Sequence, residues 1–263
     1  MDLLTPGRFE DPVTAYGYVR TIFDQVAMGE RPSTVSVTPS TRHVGVTRRD
    51  TFRPGFGGAV RAANGEGYPV LVRSSGGGAT AADAGTFGFS IIRPADEDDR
   101  RNISGRYDGA AALVLGAFSR AGLRNAEVGE VRDEFCPGDH SIRVGGWPDG
   151  MKLCGIAQRV TSRATSVGGI VLVEGEADLA RVLTKVYAAL GLPFRPASVG
   201  SARRAGSGAP VEAFLEAFAA EAEERYGAGR RPLDDETFAM ARRNGVEHLA
   251  RTSRLRGPRR FGA

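Results

Sequence analysis

Ser141-Ile142-Arg143-Val144-Gly145-Gly146-Trp147-Pro148-Asp149-Gly150-Met151-Lys152-Leu153-Cys154-Gly155-Ile156-Ala157-Gln158-Arg159-Val160-Thr161-Ser162-Arg163-Ala164-Thr165-Ser166-Val167-Gly168-Gly169-Ile170-Val171-Leu172-Val173 is the most legible stretch of this 263-residue chain. Ser141–Val144 reads as a short strand, and Gly145–Gly150 is dense turn chemistry. Met151–Thr161 reads as a second strand, Ser162–Ser166 as a turn and Val167–Val173 as a third strand. Strands joined by tight turns make an antiparallel meander.

Upstream, Asp11-Pro12 is an N-cap followed by proline at the first helical position. Val13, Tyr16, Val19, Phe23 and Val26 then recur at helical spacing until Gly29. Thr34–Thr38, His43–Thr47, Pro69–Ser74 and Thr86–Ile92 read as strands, with a long Gly-rich loop expected at Arg53–Gly67. Gly105–Ala121 reads as a helix and Ala126–Val131 as a strand. Downstream, Glu176–Leu190 is amphipathic through Leu179, Leu183, Val186 and Leu190, with Gly191 as its cap. Ser198–Ala209 reads as a linker or surface loop, Pro210–Tyr226 as an amphipathic helix, and about 234–250 as a weaker one. Single helices between short strands predict an α+β fold, with mixed, mainly antiparallel sheets flanked by helices. We expect a catalytic domain over 1–200 and a short helical C-terminal extension with a basic tail over 201–263.

Composition narrows the function classes. Net charge is +4, but residues 251–263 hold five arginines and no acid, so the rest is close to neutral. Basic and aromatic residues do not interleave, which disfavours nucleic acid. No apolar run is long enough to span a membrane, and the N-terminus lacks the pattern of a signal peptide, so a cytoplasmic protein is expected. Free thiols are then the default for Cys136 and Cys154. The three histidines have no metal-ligand spacing, so no metal site is expected. Of 35 basic residues only Lys152 and Lys185 are lysines. A compact ammonium is thereby singled out where a planar guanidinium does not substitute.

Three segments carry chemistry. In Arg73-Ser74-Ser75-Gly76-Gly77-Gly78 at a strand end, bare backbone N–H groups and a fixed positive charge can cradle a phosphate or carboxylate, with Asp83 following as a turn or cap residue. In the strand from Met151, period two puts Lys152, Cys154, Ile156 and Gln158 on one face, and Gly155 marks a bulge or a close ligand. In Glu134-Phe135-Cys136-Pro137-Gly138 a thiol sits in a loop, where Lys152, or His140 if the loop folds back, can lower its pKa.

Taken in order, these segments resemble the lipoate–protein ligase / octanoyltransferase superfamily, which shares its catalytic fold with biotin protein ligase. Arg73, Ser75, Gly76 and Gly77, followed by Asp83, Gly85 and the Phe89-Ser90 strand, look like the family's ligand-binding loop. Lys152 through Gln158 looks like its Lys-x-x-Gly-x-x-Gln strand, whose lysine contacts the acyl carbonyl. Phe135-Cys136-Pro137-Gly138 is similar to the cysteine loop of the amidotransferase branch, while Cys154 stands where alanine or serine is usual and leaves two thiols to choose between. The resemblance implies catalytic Cys136 and Lys152, and a substrate site of Arg73, Ser75, Gly76, Gly77, Gly78, Asp83, Gly155 and Gln158. It implies transfer of an octanoyl or lipoyl group through a cysteine thioester to the lysine of a lipoyl-carrier domain, with no tightly bound cofactor. The implied partners are the glycine-cleavage H protein and the lipoyl domains of 2-oxoacid dehydrogenases, with neither nucleic acid nor membrane. The alternative is an ATP-dependent lipoate or octanoate ligase, which needs ATP and Mg. A third reading is a non-catalytic acyl-binding module.

Overall fold

The computed structural model describes residues 1–250; the arginine-rich segment 251–263 lies outside the described residues. An eight-stranded sheet runs in the order β11 (Gly229–Arg231), β1 (Asp2–Leu4), β2 (Thr34–Pro39), β6 (Thr86–Pro94), β10 (Ala164–Leu172), β9 (Met151–Val160), β8 (Ile142–Val144), β7 (Glu127–Val128). β11, β1 and β2 pair in parallel, and every pairing from β2 to β7 is antiparallel. A second sheet holds β4 (Val70–Arg73), β3 (His43–Thr47) and β5 (Thr80–Ala82), with β3 parallel to β4 and antiparallel to β5. The fold is α+β with mainly antiparallel pairing, as the meander predicts.

Helices cover both faces of the large sheet. On one, α4 (Ile103–Arg120) and α6 (Val211–Tyr226) bury Leu113, Val114, Phe118, Phe214 and Phe218 against Val35, Val37, Phe87, Phe89 and Ile91. Each such side chain contributes about 1.5–3 kcal/mol by leaving water. Thus α6 completes the same core as the strands, and β11 extends the same sheet. On the other face lie α1 (Pro12–Met28), the small sheet, α2 (Phe56–Gly65), α5 (Glu176–Leu190) and α7 (Asp235–Gly245). The short α3 (Glu97–Arg101) precedes α4.

Local chemistry explains most boundaries. Asp11 caps α1 by accepting from Thr14 N at 2.8 Å, and Gly29 closes it with a left-handed φ of 76°. The expected loop at Arg53–Gly67 is corrected by α2, whose Phe56, Ala59, Val60 and Ala63 are buried in the same core as α5. Gly55, just before α2, serves packing, because a Cβ there would lie 1.7 Å from Ala189 O on α5. The expected strand at Ala126–Val131 shrinks to Glu127–Val128, and the expected helix near 234–250 ends at Gly245 before a 3-10 turn. No helix is long and apolar enough to cross a membrane among the described residues.

Side-chain alternation makes the two faces of the large sheet unlike. Towards α4 and α6 point Val35, Val37, Phe87, Phe89, Ile91, Val167, Val171 and Cys154. Register then places Ser36 and Thr38, Gly88 and Ser90, Gly168 and Ile170, and Gly155 and Ala157 on the opposite face. Small residues there leave room between the sheet and α1.

Candidate active site

That room is a cavity of about 220 Å³. The sheet supplies its small-residue floor, α1 contributes Tyr16, Val19 and Phe23, and Arg73, Ser75, Phe135 and Cys136 line it where the loops converge.

Cys136 is held rigidly there. Its backbone is left-handed, with φ 45°, a conformation that costs a non-glycine residue about 1–3 kcal/mol. Both flanking peptide groups are pinned. Its N–H donates to Tyr187 Oη at 2.7 Å, and that hydroxyl donates onward to Ala79 O at 2.9 Å. Its carbonyl accepts from Lys152 Nζ at 2.8 Å. The side chain is thereby fixed with Sγ 3.1 Å from Arg73 Nη2 and 3.3 Å from Gly78 N. Burial pushes the Cys136 thiol up, but Arg73, Lys152 and the Gly78 N–H outweigh it and hold the thiol below its ordinary value. The sulfur is therefore biased towards thiolate, the nucleophilic form.

The glycine loop has to be glycine where it meets this sulfur. A Cβ on Gly77 would lie 2.5 Å from Cys136 Sγ and 2.6 Å from Arg73 Nη2, and the residue has φ +99°. Arg73 also donates to Gly78 O at 2.7 Å, so one guanidinium holds both loop and thiol. Gly76 N reaches Gln158 O at 3.5 Å, tying the loop back to β9.

Lys152 sits elsewhere than the strand alternation predicts. Ile142 pairs with Cys154 and Arg143 with Lys152, so Leu153 is an extra residue in β9, a bulge. The bulge turns Lys152 to the side of Gly155, where a Cβ would lie 3.0 Å from Lys152 Cε. Cys154 and Gln158 keep the regular alternation and face α4 instead. The expected single face of Lys152, Cys154, Ile156 and Gln158 is thus split. Lys152 is fully buried and donates to Glu134 Oε1 at 3.1 Å, Phe135 O at 2.9 Å and Cys136 O at 2.8 Å. All three of its protons are spent on the cysteine loop, so in this state it braces that loop and has none left for an acyl head.

Glu134 closes the same network and sequence reasoning did not single it out. It accepts from Val131 N, Gly138 N and Ser141 Oγ as well as from Lys152. A buried ion pair persists when its remaining lone pairs are satisfied in this way. Tyr187 was missed too. Its place on the apolar stripe of α5, four residues after Leu183, reads as core packing, and nothing in a sequence shows where its hydroxyl reaches.

The other expected site residues divide clearly. Ser75 and Gly155 line the cavity. Gln158 accepts from Arg106 Nε at 2.8 Å and donates to Ile103 O at 3.1 Å, anchoring α4. Asp83 accepts from Tyr68 Oη at 3.0 Å and Gly85 N at 3.1 Å and so builds a turn. His140 stacks on Tyr107 and lies 3.4 Å from Asp108, so the cation at Cys136 is not supplied by it. Cys154 is buried in the α4/α6 core, where burial pushes its thiol up to about 12. Among the described residues no His, Cys, Asp and Glu cluster could hold a metal ion.

Residues 11–223 match the family described as the lipoyl protein ligase A/B catalytic domain. The chain is 29% identical over 167 residues to an octanoyl-GcvH:protein N-octanoyltransferase of Bacillus velezensis, covering 64% of this chain and 56% of that protein. It is 25% identical over 166 residues to a lipoyl-GcvH:protein N-lipoyltransferase of Listeria monocytogenes, covering 63% and 58%. The chain thus spans just over half the length of these curated relatives. The T. acidophilum protein Ta0514, solved with bound lipoic acid, is 18% identical and superposes with a TM-score of 0.71 over 94% of this chain and 95% of that one. At that identity the likeness is one of fold.

Proposed function

This chain belongs to the lipoyl protein ligase A/B catalytic domain family, and from that premise we propose that it transfers an octanoyl or lipoyl group through a thioester on Cys136. The observation that carries the reading is the sulfur itself: Cys136 Sγ sits at the cavity, against Arg73 Nη2 and Gly78 N, with its thiol pKa depressed. A buried thiol with no task has no need of a strained backbone, a guanidinium and a backbone donor.

The chemistry follows. Cys136 thiolate attacks the acyl carbonyl of a donor, and the oxyanion is met by Arg73 and the Gly78 N–H as the sulfur changes from anion to thioether. The leaving amine or thiolate takes a proton. The ε-amine of a lysine on an acceptor lipoyl domain then attacks the thioester, and Cys136 departs again as a thiolate stabilised by the same partners. No ATP is consumed in this second transfer. The acyl tail lies over Gly88, Gly155 and Gly168, gaining about 0.8 kcal/mol per buried methylene. Lys152 acts through the loop, by its charge and by holding the Phe135 and Cys136 carbonyls. Donor and acceptor are lipoyl-carrier proteins, with the H protein as donor and 2-oxoacid dehydrogenase lipoyl domains as acceptors.

Intact-mass analysis with octanoyl carrier, octanoyl-acyl carrier protein, or octanoate plus ATP tests this directly. We expect an octanoyl adduct on Cys136 with at least one carrier donor, absent in Cys136→Ser. AMP release with octanoate and ATP, at a rate indifferent to Cys136→Ala, would identify a ligase instead.

A further inference from the structure

The parallel pairing of β3 and β4 brings their C-terminal ends out side by side, with Thr47 opposite Arg73. The loop after β4 carries the glycines that meet Cys136. Beside it, the loop after β3 is Arg48-Arg49-Asp50-Thr51-Phe52-Arg53. That loop is built to hold its shape. Asp50 is buried, and its Oδ2 accepts from Thr47 N at 2.9 Å and Thr47 Oγ1 at 2.8 Å. Arg53 N closes a turn on Asp50 O at 3.1 Å. Just beyond it, Gly55 packs its backbone on α5, the helix that carries Tyr187.

The loop presents an unusual combination to solvent. Phe52 is 71% exposed, the most exposed large hydrophobic among the described residues. Arg48 and Arg49 are exposed as well, and neither has a carboxylate within 4 Å among the described residues. Several other guanidiniums on this surface are balanced by acids, as Arg31 is by Asp234, Arg120 by Glu221, Arg203 by Glu174 and Arg230 by Glu223. Two positive charges without a carboxylate partner and a bare aromatic ring therefore stand on a stiff turn that adjoins the start of the glycine loop at Arg73.

We propose that Arg48, Arg49 and Phe52 form a docking rim for an acidic face of the carrier domain that brings its acyl-lysine to Cys136. The inference rests on the reading of Cys136 as the site of transfer from protein-borne lysines. A lysine side chain alone gives a protein-sized substrate little orientation. Guanidiniums speed and orient encounter with an acidic surface, and a ring that becomes buried on contact anchors it. Their partner is an acidic protein surface with an apolar recess for the ring.

The test separates docking from chemistry. Binding of purified apo H protein is titrated calorimetrically against the full chain, its Arg48→Glu/Arg49→Glu variant and its Phe52→Ala variant. Acylation of Cys136 by octanoyl-N-acetylcysteamine is followed in parallel by intact mass. We expect Kd for the carrier to rise at least about tenfold in the charge-reversed variant, with a smaller rise for Phe52→Ala. Acylation by the small thioester should stay within about twofold, as befits surface substitutions. Arg124→Glu, an exposed position in the loop after α4, should leave Kd unchanged. An unchanged Kd in both rim variants, equal weakening by Arg124→Glu, a parallel loss of small-thioester acylation, or no carrier binding by the unaltered chain would each overturn the proposal. If the unaltered chain takes no octanoyl from any donor, the Cys136 reading fails, and the carrier titration still decides whether the rim docks.

Discussion

The two cysteines lie eighteen positions apart in the chain and on opposite sides of the same sheet, and their surroundings differ in almost every physical respect. Cys136 sits in a left-handed loop whose peptide groups are pinned by Tyr187 and Lys152, with a guanidinium and a backbone N–H on its sulfur. Cys154 sits in β9, next to the bulge, among Ile142, Leu153 and Val171, its sulfur 3.8 Å from the adjacent Gly155 carbonyl. Both are nearly or fully buried, so burial does not tell them apart. What separates them is whether donors and cations compensate the desolvation: at Cys136 they outweigh it, and at Cys154 the thiol goes up to about 12.

Replacing each thiol in turn puts the contrast to its hardest test. Cys136→Ala should lower transfer by at least about a thousandfold, since loss of a nucleophile is not made good by binding alone. Cys154→Ala should change transfer by no more than about threefold and lower stability by about 1 kcal/mol, as expected for a small buried hydrophobe. Transfer rates with urea titrations on both variants measure this. A rate collapse in Cys154→Ala with Cys136→Ala active would reverse the assignment.

The bracing of Cys136 can be removed without touching the sulfur. Lys152→Met leaves the Glu134 carboxylate buried without its cation, which costs about 3–5 kcal/mol of folding stability. Adding Glu134→Gln removes the stranded charge and should recover much of that loss in urea denaturation. Transfer should stay depressed in the double variant, because the Phe135 and Cys136 carbonyls are still unheld. Recovery of both together would mean that Lys152 contributes stability and nothing more.

Much of this arrangement was legible from residues in order. The Asp11-Pro12 start and Gly29 stop of α1, the meander and the glycine run beside Arg73 follow from local preferences that tertiary structure leaves intact. The placement of Lys152 was not legible. A strand's alternation fixes faces only while the register is unbroken, and one extra residue at Leu153 moved the lysine to the other side. Gln158 was misread as a pocket residue by the same logic, since alternation says which residues share a face and not what that face meets. Glu134 and Tyr187 act through contacts of 18 and 51 positions' separation, which no local pattern encodes. The start of α2 was misread as a loop because the close packing of Gly55 on α5 and a chain reversal call for the same residue.

The electrostatic half of the contrast is open to a milder intervention. Arg73 is the foremost group lowering the Cys136 thiol against burial. A depressed thiol pKa keeps thiolate populated at lower pH, and the alkylation rate falls only as pH drops through that value. In Arg73→Met the acid limb of an iodoacetamide alkylation profile should move to higher pH. At neutral pH the rate at Cys136 should fall as the thiolate fraction falls. Cys154 should stay unmodified in the folded protein throughout. Site-resolved mass spectrometry distinguishes the two thiols, and an unmoved limb would mean that Gly78 and Lys152 suffice.

The smallest effect concerns the space rather than the sulfur, and it turns on two glycines of the floor. A Cβ on Gly168 would lie 2.2 Å from Phe89 O, so that glycine is needed for strand packing itself. A Cβ on Gly88 meets nothing nearer than Gly169 O at 3.8 Å, so a larger side chain there can occupy the cavity without moving the sheet. Valine also suits a strand. Gly88→Val should therefore fold as before while excluding about two methylenes of the acyl chain, lowering kcat/KM for octanoyl about tenfold at ~0.8 kcal/mol each. Butanoyl transfer should be nearly unaffected, so the ratio of the two substrates reads the floor directly. Equal losses for both chain lengths would mean that the tail runs elsewhere, and the small-residue face would then be a packing feature like the large-residue face behind it.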